Sequence, residues 1–189
     1  MRMELSDVIT ELKKYADNIV NSKVTISPDG LINYDGKIRL NRCPDQKIPF
    51  KFGTVTGGFS CDELGLTTLE GCPRIVGGHF TSEFNYIEDL TGGPEVCNGA
   101  TYSCGGNRHM TSLKGIPKTV LGNFYCTWNP ALAILRILTI QPLFAATGKP
   151  EVDKIIVKYL YDDSLPVRQK IILCQKELID SGYKGNAKL

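Results

Sequence analysis

Three segments of this chain share one wording, and the interval between them decides what it can fold into. Leu66-Thr-Thr-Leu69-Glu-Gly71-Cys-Pro73, Ile87-Glu-Asp-Leu90-Thr-Gly92-Gly-Pro94 and Met110-Thr-Ser-Leu113-Lys-Gly115-Ile-Pro117 superpose, with their prolines 21 and 23 residues apart. Seven residues past each proline comes a strand-like position, Phe80, Thr101 or Phe124, each two residues after Gly78, Gly99 or Gly122. The frame runs upstream, because Phe59 lies 21 residues before Phe80 and Ile38 lies 21 before Phe59. A unit of about 20–29 residues with one short strand cannot cover its own apolar face, so it stacks on copies of itself to build a continuous core. The expected architecture is an α/β repeat: a short leucine-rich-repeat-like solenoid of about five rungs with a small parallel sheet.

Alternation along each strand assigns the faces. Ile38, Phe59, Phe80, Thr101 and Phe124 point inward, with Leu40, Cys61, Ser82, Ser103 and Cys126 two residues on. The outward columns are then Lys37, Gly58, His79, Ala100, Asn123 and Arg39, Ser60, Thr81, Tyr102, Tyr125. A solenoid needs covered ends. Helical spacing from Leu5 to Val20 followed by a hairpin-like segment predicts an N-terminal cap over residues 1–35, with the solenoid over 36–128. Residues 129–189 are expected to form a C-terminal helical cap of three helices: 131–141, one opened by Pro150, and one opened by Pro166 and ending near Gly182.

Bulk properties narrow the function classes. Lys plus Arg number 22 against 20 Asp plus Glu, so there is no basic excess that would make a phosphate backbone the expected partner. The N-terminus intersperses charges through its first fifteen residues, unlike a secretion signal. The most apolar window, Ala131 to Ile140, is too short to span a bilayer and contains Arg136. A cytoplasmic protein without membrane or nucleic-acid partners is expected. Seven cysteines with no CxxC pair and only two histidines give no zinc pattern, and the thiols read as reduced and packed. The Gly-Gly pairs recur with the unit outside any phosphate-loop motif and read as turns.

LTTLEGCPRIVGGHF, SLKGIPKTVLGNFYC and IPFKFGTVTGGFSC, together with the tail KIIVKYLYDD through CQKELIDSGYKGNAKL, resemble the leucine-rich-repeat-like proteins of tailed bacteriophages. The resemblance covers roughly residues 24–189. It implies a solenoid fold and a viral origin, and it carries no catalytic motif. The sequence departs from the family wording between Glu83 and Cys104, and the stretch Cys104 to His109 reads as two residues longer than its counterparts. A degenerate rung with an insertion is a place where function can be added.

The candidate site residues are Arg39, His79, Tyr102 and Tyr125 on the strand face, Trp128 beside it, and Arg108 and His109 in the inserted loop. Tyr, Trp and Arg are the types enriched where binding energy concentrates. Asp62 and Glu83 on adjacent rungs form the only carboxylate pair of interest, and no nucleophile with a base accompanies them. The expectation is a non-enzymatic protein-binding solenoid without cofactor, acting on a host protein, one of defence included. The alternatives are a nucleotide or small-molecule binder that sequesters a signalling ligand, and a self-assembling structural protein.

Overall fold

The computed structural model describes residues 4–129, 132–140, 142 and 144–189. In chain order the elements are α1 (Leu5–Leu12), β1 (Val24–Ile26), β2 (Ile32–Tyr34), β3 (Ile38–Arg39), β4 (Phe52–Val55), β5 (Phe59–Ser60), β6 (Ile75–Val76) and β7 (Phe80–Thr81). They continue with β8 (Val96–Cys97), β9 (Thr101–Ser103), β10 (Thr119–Val120), β11 (Asn123–Tyr125), α2 (Ile137–Ile140), β12 (Phe144–Ala146), α3 (Pro150–Leu160) and α4 (Val167–Asp180).

The strands form two six-stranded sheets, β1-β2-β4-β6-β8-β10 and β12-β11-β9-β7-β5-β3. All pairs are parallel except the β1–β2 hairpin. Each turn of chain gives one strand to each sheet, which makes a parallel β-solenoid of about five turns with helices towards its C-terminus. The sequence reading anticipated one strand per unit. The strand before each glycine corner was missed because it is only two to four residues long.

Between the sheets the second sheet's inward residues stack ring on ring. Phe59 and Phe80 lie 6.2 Å apart at 6°. Phe80 and Tyr102 lie 4.8 Å apart, and Tyr102 and Phe124 lie 5.2 Å apart at 12°. Stacked pairs contribute about 0.5–1.5 kcal/mol each beyond the burial of their area. The return leg supplies the rest of the core through Ile48, Leu66 with Leu69, Ile87 with Leu90, Met110 with Leu113, and Leu132 with Leu135, all buried.

The register corrects the expected faces. Tyr102, not Thr101, pairs with Phe80 and Phe124, and Tyr102 and Cys104 are fully buried. The cause is one extra residue at the Gly99–Ala100 corner. Val55 to Phe59, Val76 to Phe80 and Val120 to Phe124 are each four positions apart, but Cys97 to Tyr102 is five. A slip of one residue exchanges the two faces of a strand, so Tyr102 leaves the candidate surface, and Thr101 and Ser103 take the outward positions. A second extra residue sits at Arg108–His109, since Asn85 precedes Ile87 by two positions while Asn107 precedes Met110 by three. The loop is therefore longer by one residue, not two.

The buried Tyr102 hydroxyl has no hydrogen-bond partner among the described residues. Stripping such a group of water costs about 1–3 kcal/mol. Tyr102→Phe keeps the ring stack and removes that cost, so this variant is expected to be more stable by about 1 kcal/mol or more in urea unfolding. Unchanged or lowered stability would show that the hydroxyl is satisfied.

Asparagines tie the turns together. Asn85 Oδ1 accepts from the backbone N–H of Leu64 and Leu66, both at 3.0 Å, and its Nδ2 donates to the Cys61 and Glu83 carbonyls. Asn107 repeats the arrangement one turn on, and Asn129 follows at the same spacing.

The ends also differ from expectation. Helix α1 stops at Leu12, although Ala16 and Ile19 remain buried. The segment after it runs through turns and is tied to the first turn of the solenoid. Tyr15 O accepts from Asn41 N, Asn18 Nδ2 donates to Lys37 O, and Tyr34 Oη donates to Asn18 O. The helix expected over 131–141, whose first and last residues lie outside those described, is helical only over Ile137–Ile140. Leu132 and Leu135 instead continue the leucine leg, and Phe144–Ala146 adds a further strand beyond residue 128. Helices α3 and α4 match their expected spans, pack on one another, and α3 packs on β12.

Candidate functional site

Four positions in successive turns close the second sheet's strands: Glu63, Phe84, Gly106 and Trp128. All have positive φ, 58°, 53°, 71° and 64°. Their backbones continue the ladder between turns, with Glu63 N donating to Glu83 O, Phe84 N to Gly105 O and Gly106 N to Thr127 O. The turn thus demands a left-handed residue. Glycine supplies it at no cost in only one of the four turns, whereas a non-glycine residue gives up about 1–2 kcal/mol. Phe84 and Trp128 bear that cost while remaining 55% and 76% exposed. Neither core burial nor backbone ease accounts for them.

The surroundings extend these two rings into a strip. The Phe84 ring lies over Gly106, where a Cβ would sit 2.5 Å from its Cδ1. Tyr86, 55% exposed, meets the His109 ring edge-on at 5.9 Å. A hollow of about 400 Å³ is lined by Glu63, Gly65, Phe84 and Tyr86 at one end. At the other a cavity of about 360 Å³ is lined by Arg108, Thr127, Trp128, Asn129, Thr147, Gly148 and Lys149. The strip therefore runs from a carboxylate end to a cationic end.

The structure brings three of the sequence-derived candidates, Trp128, Arg108 and His109, to this strip. Arg39 and His79 are exposed on the second sheet, away from it along the strands. Tyr125 is half-buried on the same sheet, 6.1 Å from Phe144, and its hydroxyl accepts from Asn123 Nδ2. Tyr102 is in the core. Phe84 and Tyr86 were missed because they follow β7, outside the strand columns whose alternation assigned the faces. The signal that could have found them is the alignment of Phe84 with Gly106, a position that needs no side chain.

The carboxylate pair is occupied with local structure. Asp62 accepts from the Ser60 and Thr81 hydroxyls, both at 2.8 Å, and from Glu83 N at 2.7 Å. Glu83 accepts from the Ser103 hydroxyl. All seven cysteines are unpaired and buried. Burial, with a smaller contribution from neighbouring Cys72, pushes Cys43 up to about 11, and burial pushes Cys174 to about 12. These thiols are neutral packing groups at pH 7. Among the described residues no group of three or more His, Cys, Asp or Glu side chains is placed to hold a metal ion. No helix among them is long and apolar enough to cross a membrane.

Compared with protein-family models, curated proteins and solved structures, the chain matches none.

Proposed function

We propose that this chain is a non-catalytic binding protein that presents the strip Phe84, Tyr86, Arg108, His109 and Trp128 to a partner protein. The observation that carries the reading is the pair of exposed aromatic residues held in a left-handed backbone, where glycine would be cheaper. Strained residues that packing does not require concentrate at functional positions. Exposed Trp, Tyr and Arg side by side have the composition of a binding hot spot.

The repeat wording supports the finer reading of a leucine-rich-repeat-like solenoid, with α1 covering one end and α3 and α4 the other. The resemblance to bacteriophage proteins supports a viral protein acting in the host cytoplasm on a host protein, one of defence included.

The test is tagged wild type beside a Phe84→Asn, Tyr86→Ala, Trp128→Asn variant in bacterial lysate, read by mass spectrometry. Direct titration of the recovered protein follows. Asparagine tolerates the left-handed conformation, so the variant is expected to melt at or above the wild-type temperature. Loss of two or three hot-spot side chains is expected to weaken binding by about 4 kcal/mol or more. Equal capture by both proteins, or no specific capture by either, would overturn the reading.

A further inference from the structure

We infer that the cavity at the cationic end of the strip is a small-molecule site for a flat aromatic ring bearing one anionic group, of nucleoside monophosphate size. This goes beyond partner binding and is tested without any partner. The volume of about 360 Å³ falls at the small end of the roughly 300–1,000 Å³ typical of ligand pockets, which suits a single ring system with one substituent.

The lining decides the chemistry. Trp128 supplies a wall, its indole 76% exposed on a residue with positive φ. Such a surface stacks any flat ring, and base-on-aromatic stacking contributes about 1–3 kcal/mol. Arg108 lines the same space, and among the described residues it has no hydrogen bond or ion pair with a carboxylate. An arginine unneutralised beside an apolar wall favours an oxyanion, which it can grip with two parallel N–H groups.

Lys149 lies across the cavity, its Nζ donating to Asn186 Oδ1 at 3.2 Å, so its ammonium is positioned by the neighbouring chain segment. Among the described residues no carboxylate lines the cavity. Asp153, bonded to the lining residue Thr147, is engaged by that residue's N–H at 2.7 Å and hydroxyl at 2.6 Å. Asn129 forms part of the floor. Its Nδ2 donates to the Cys104 carbonyl at 3.2 Å, and its buried Oδ1 has no partner among the described residues. The Thr127 hydroxyl is likewise uncommitted.

Trp128 is the only tryptophan in the chain, so its fluorescence reports this cavity alone. The full chain is titrated with AMP, CMP, GMP and UMP, with 4-hydroxyphenylacetate as an aromatic carboxylate, and with adenosine and inorganic phosphate as half-ligands. Saturable quenching by at least one nucleotide or by the carboxylate is expected, and which of them binds tighter identifies the source. Each half-ligand should bind at least about tenfold more weakly than the corresponding whole. Arg108→Ala, at an exposed residue with no partner to lose, should weaken binding at least about tenfold with an unchanged melting temperature. Trp128→Asn, read by calorimetry, should do the same. Absence of saturable quenching with every probe, binding unaffected by Arg108→Ala, or adenosine binding as tightly as AMP would each overturn the inference. None of these results bears on capture of a protein by Phe84 and Tyr86.

Discussion

Asn107→Ala is expected to destabilise the protein by about 3–5 kcal/mol, enough to unfold a domain of ordinary stability at moderate urea. The side chain is wholly buried and uses its donors and an acceptor within the backbone. Nδ2 donates to the carbonyls of Ser82 and Cys104 at 2.9 Å and Gly105 at 3.3 Å, and Oδ1 accepts from Asn85 N at 3.1 Å. Alanine leaves the Asn85 N–H and at least one carbonyl buried without a partner, at about 1–3 kcal/mol each, besides the bonds themselves. Asn107→Asp should be no milder, because it replaces two donors by a buried charge facing carbonyl oxygens. Asn123→Ala is the comparison, since the side chain of this half-buried asparagine donates to the Tyr125 hydroxyl and its loss should cost about 1 kcal/mol or less. Denaturant unfolding of the three variants measures all of this. A cost below about 1 kcal/mol for Asn107→Ala would mean that the asparagine column does not hold the turns together.

That column was present in the sequence as Asn85, Asn107 and Asn129 at a constant interval, yet polar residues at repeat positions read as surface. Only the closed turn shows that a carboxamide is needed to satisfy backbone groups inside the bend. What was legible came from apolar periodicity. The leucine pairs, the phenylalanine positions at 59, 80 and 124, and the spans of α3 and α4 all follow from which side chains must leave water. Phase was legible only while the turns stayed equal in length. Counting forward from Gly99 placed Thr101 inside and Tyr102 outside, and the single extra residue at the corner reversed both.

The same limit applied to the site. Residue type and the loop insertion pointed to Arg108, His109 and Trp128. Phe84 and Tyr86 lie beyond the strand positions whose alternation assigned the faces, and the exposure of Phe84 follows from a positive φ that non-glycine sequence does not announce. The strip is thus a property of the turn geometry: one left-handed position, repeated in each turn, sets a row of side chains on the same edge at the spacing of parallel strands, ~4.8 Å.

Keeping that spacing depends on the opposite corners, which leads to the second large effect. Gly99→Ala is expected to cost about 3 kcal/mol, lowering the melting temperature by roughly 6–12 °C for a domain of this size. The reason is proximity rather than conformation. A Cβ at Gly99 would lie 2.0 Å from the Gly78 carbonyl oxygen and 2.1 Å from its carbon. The obstructing atoms are backbone of the preceding turn, pinned where Gly78 N donates to Gly57 O and His79 O accepts from Phe59 N. No flexible side chain can swing aside, so the turn containing Arg108 and His109 must lift from its neighbour or the ladder must open. Gly185→Ala, at a site with nothing within 4 Å of the added carbon, should leave stability within about 0.5 kcal/mol. Should Gly99→Ala melt with the wild type, the corners are looser than their backbone packing implies.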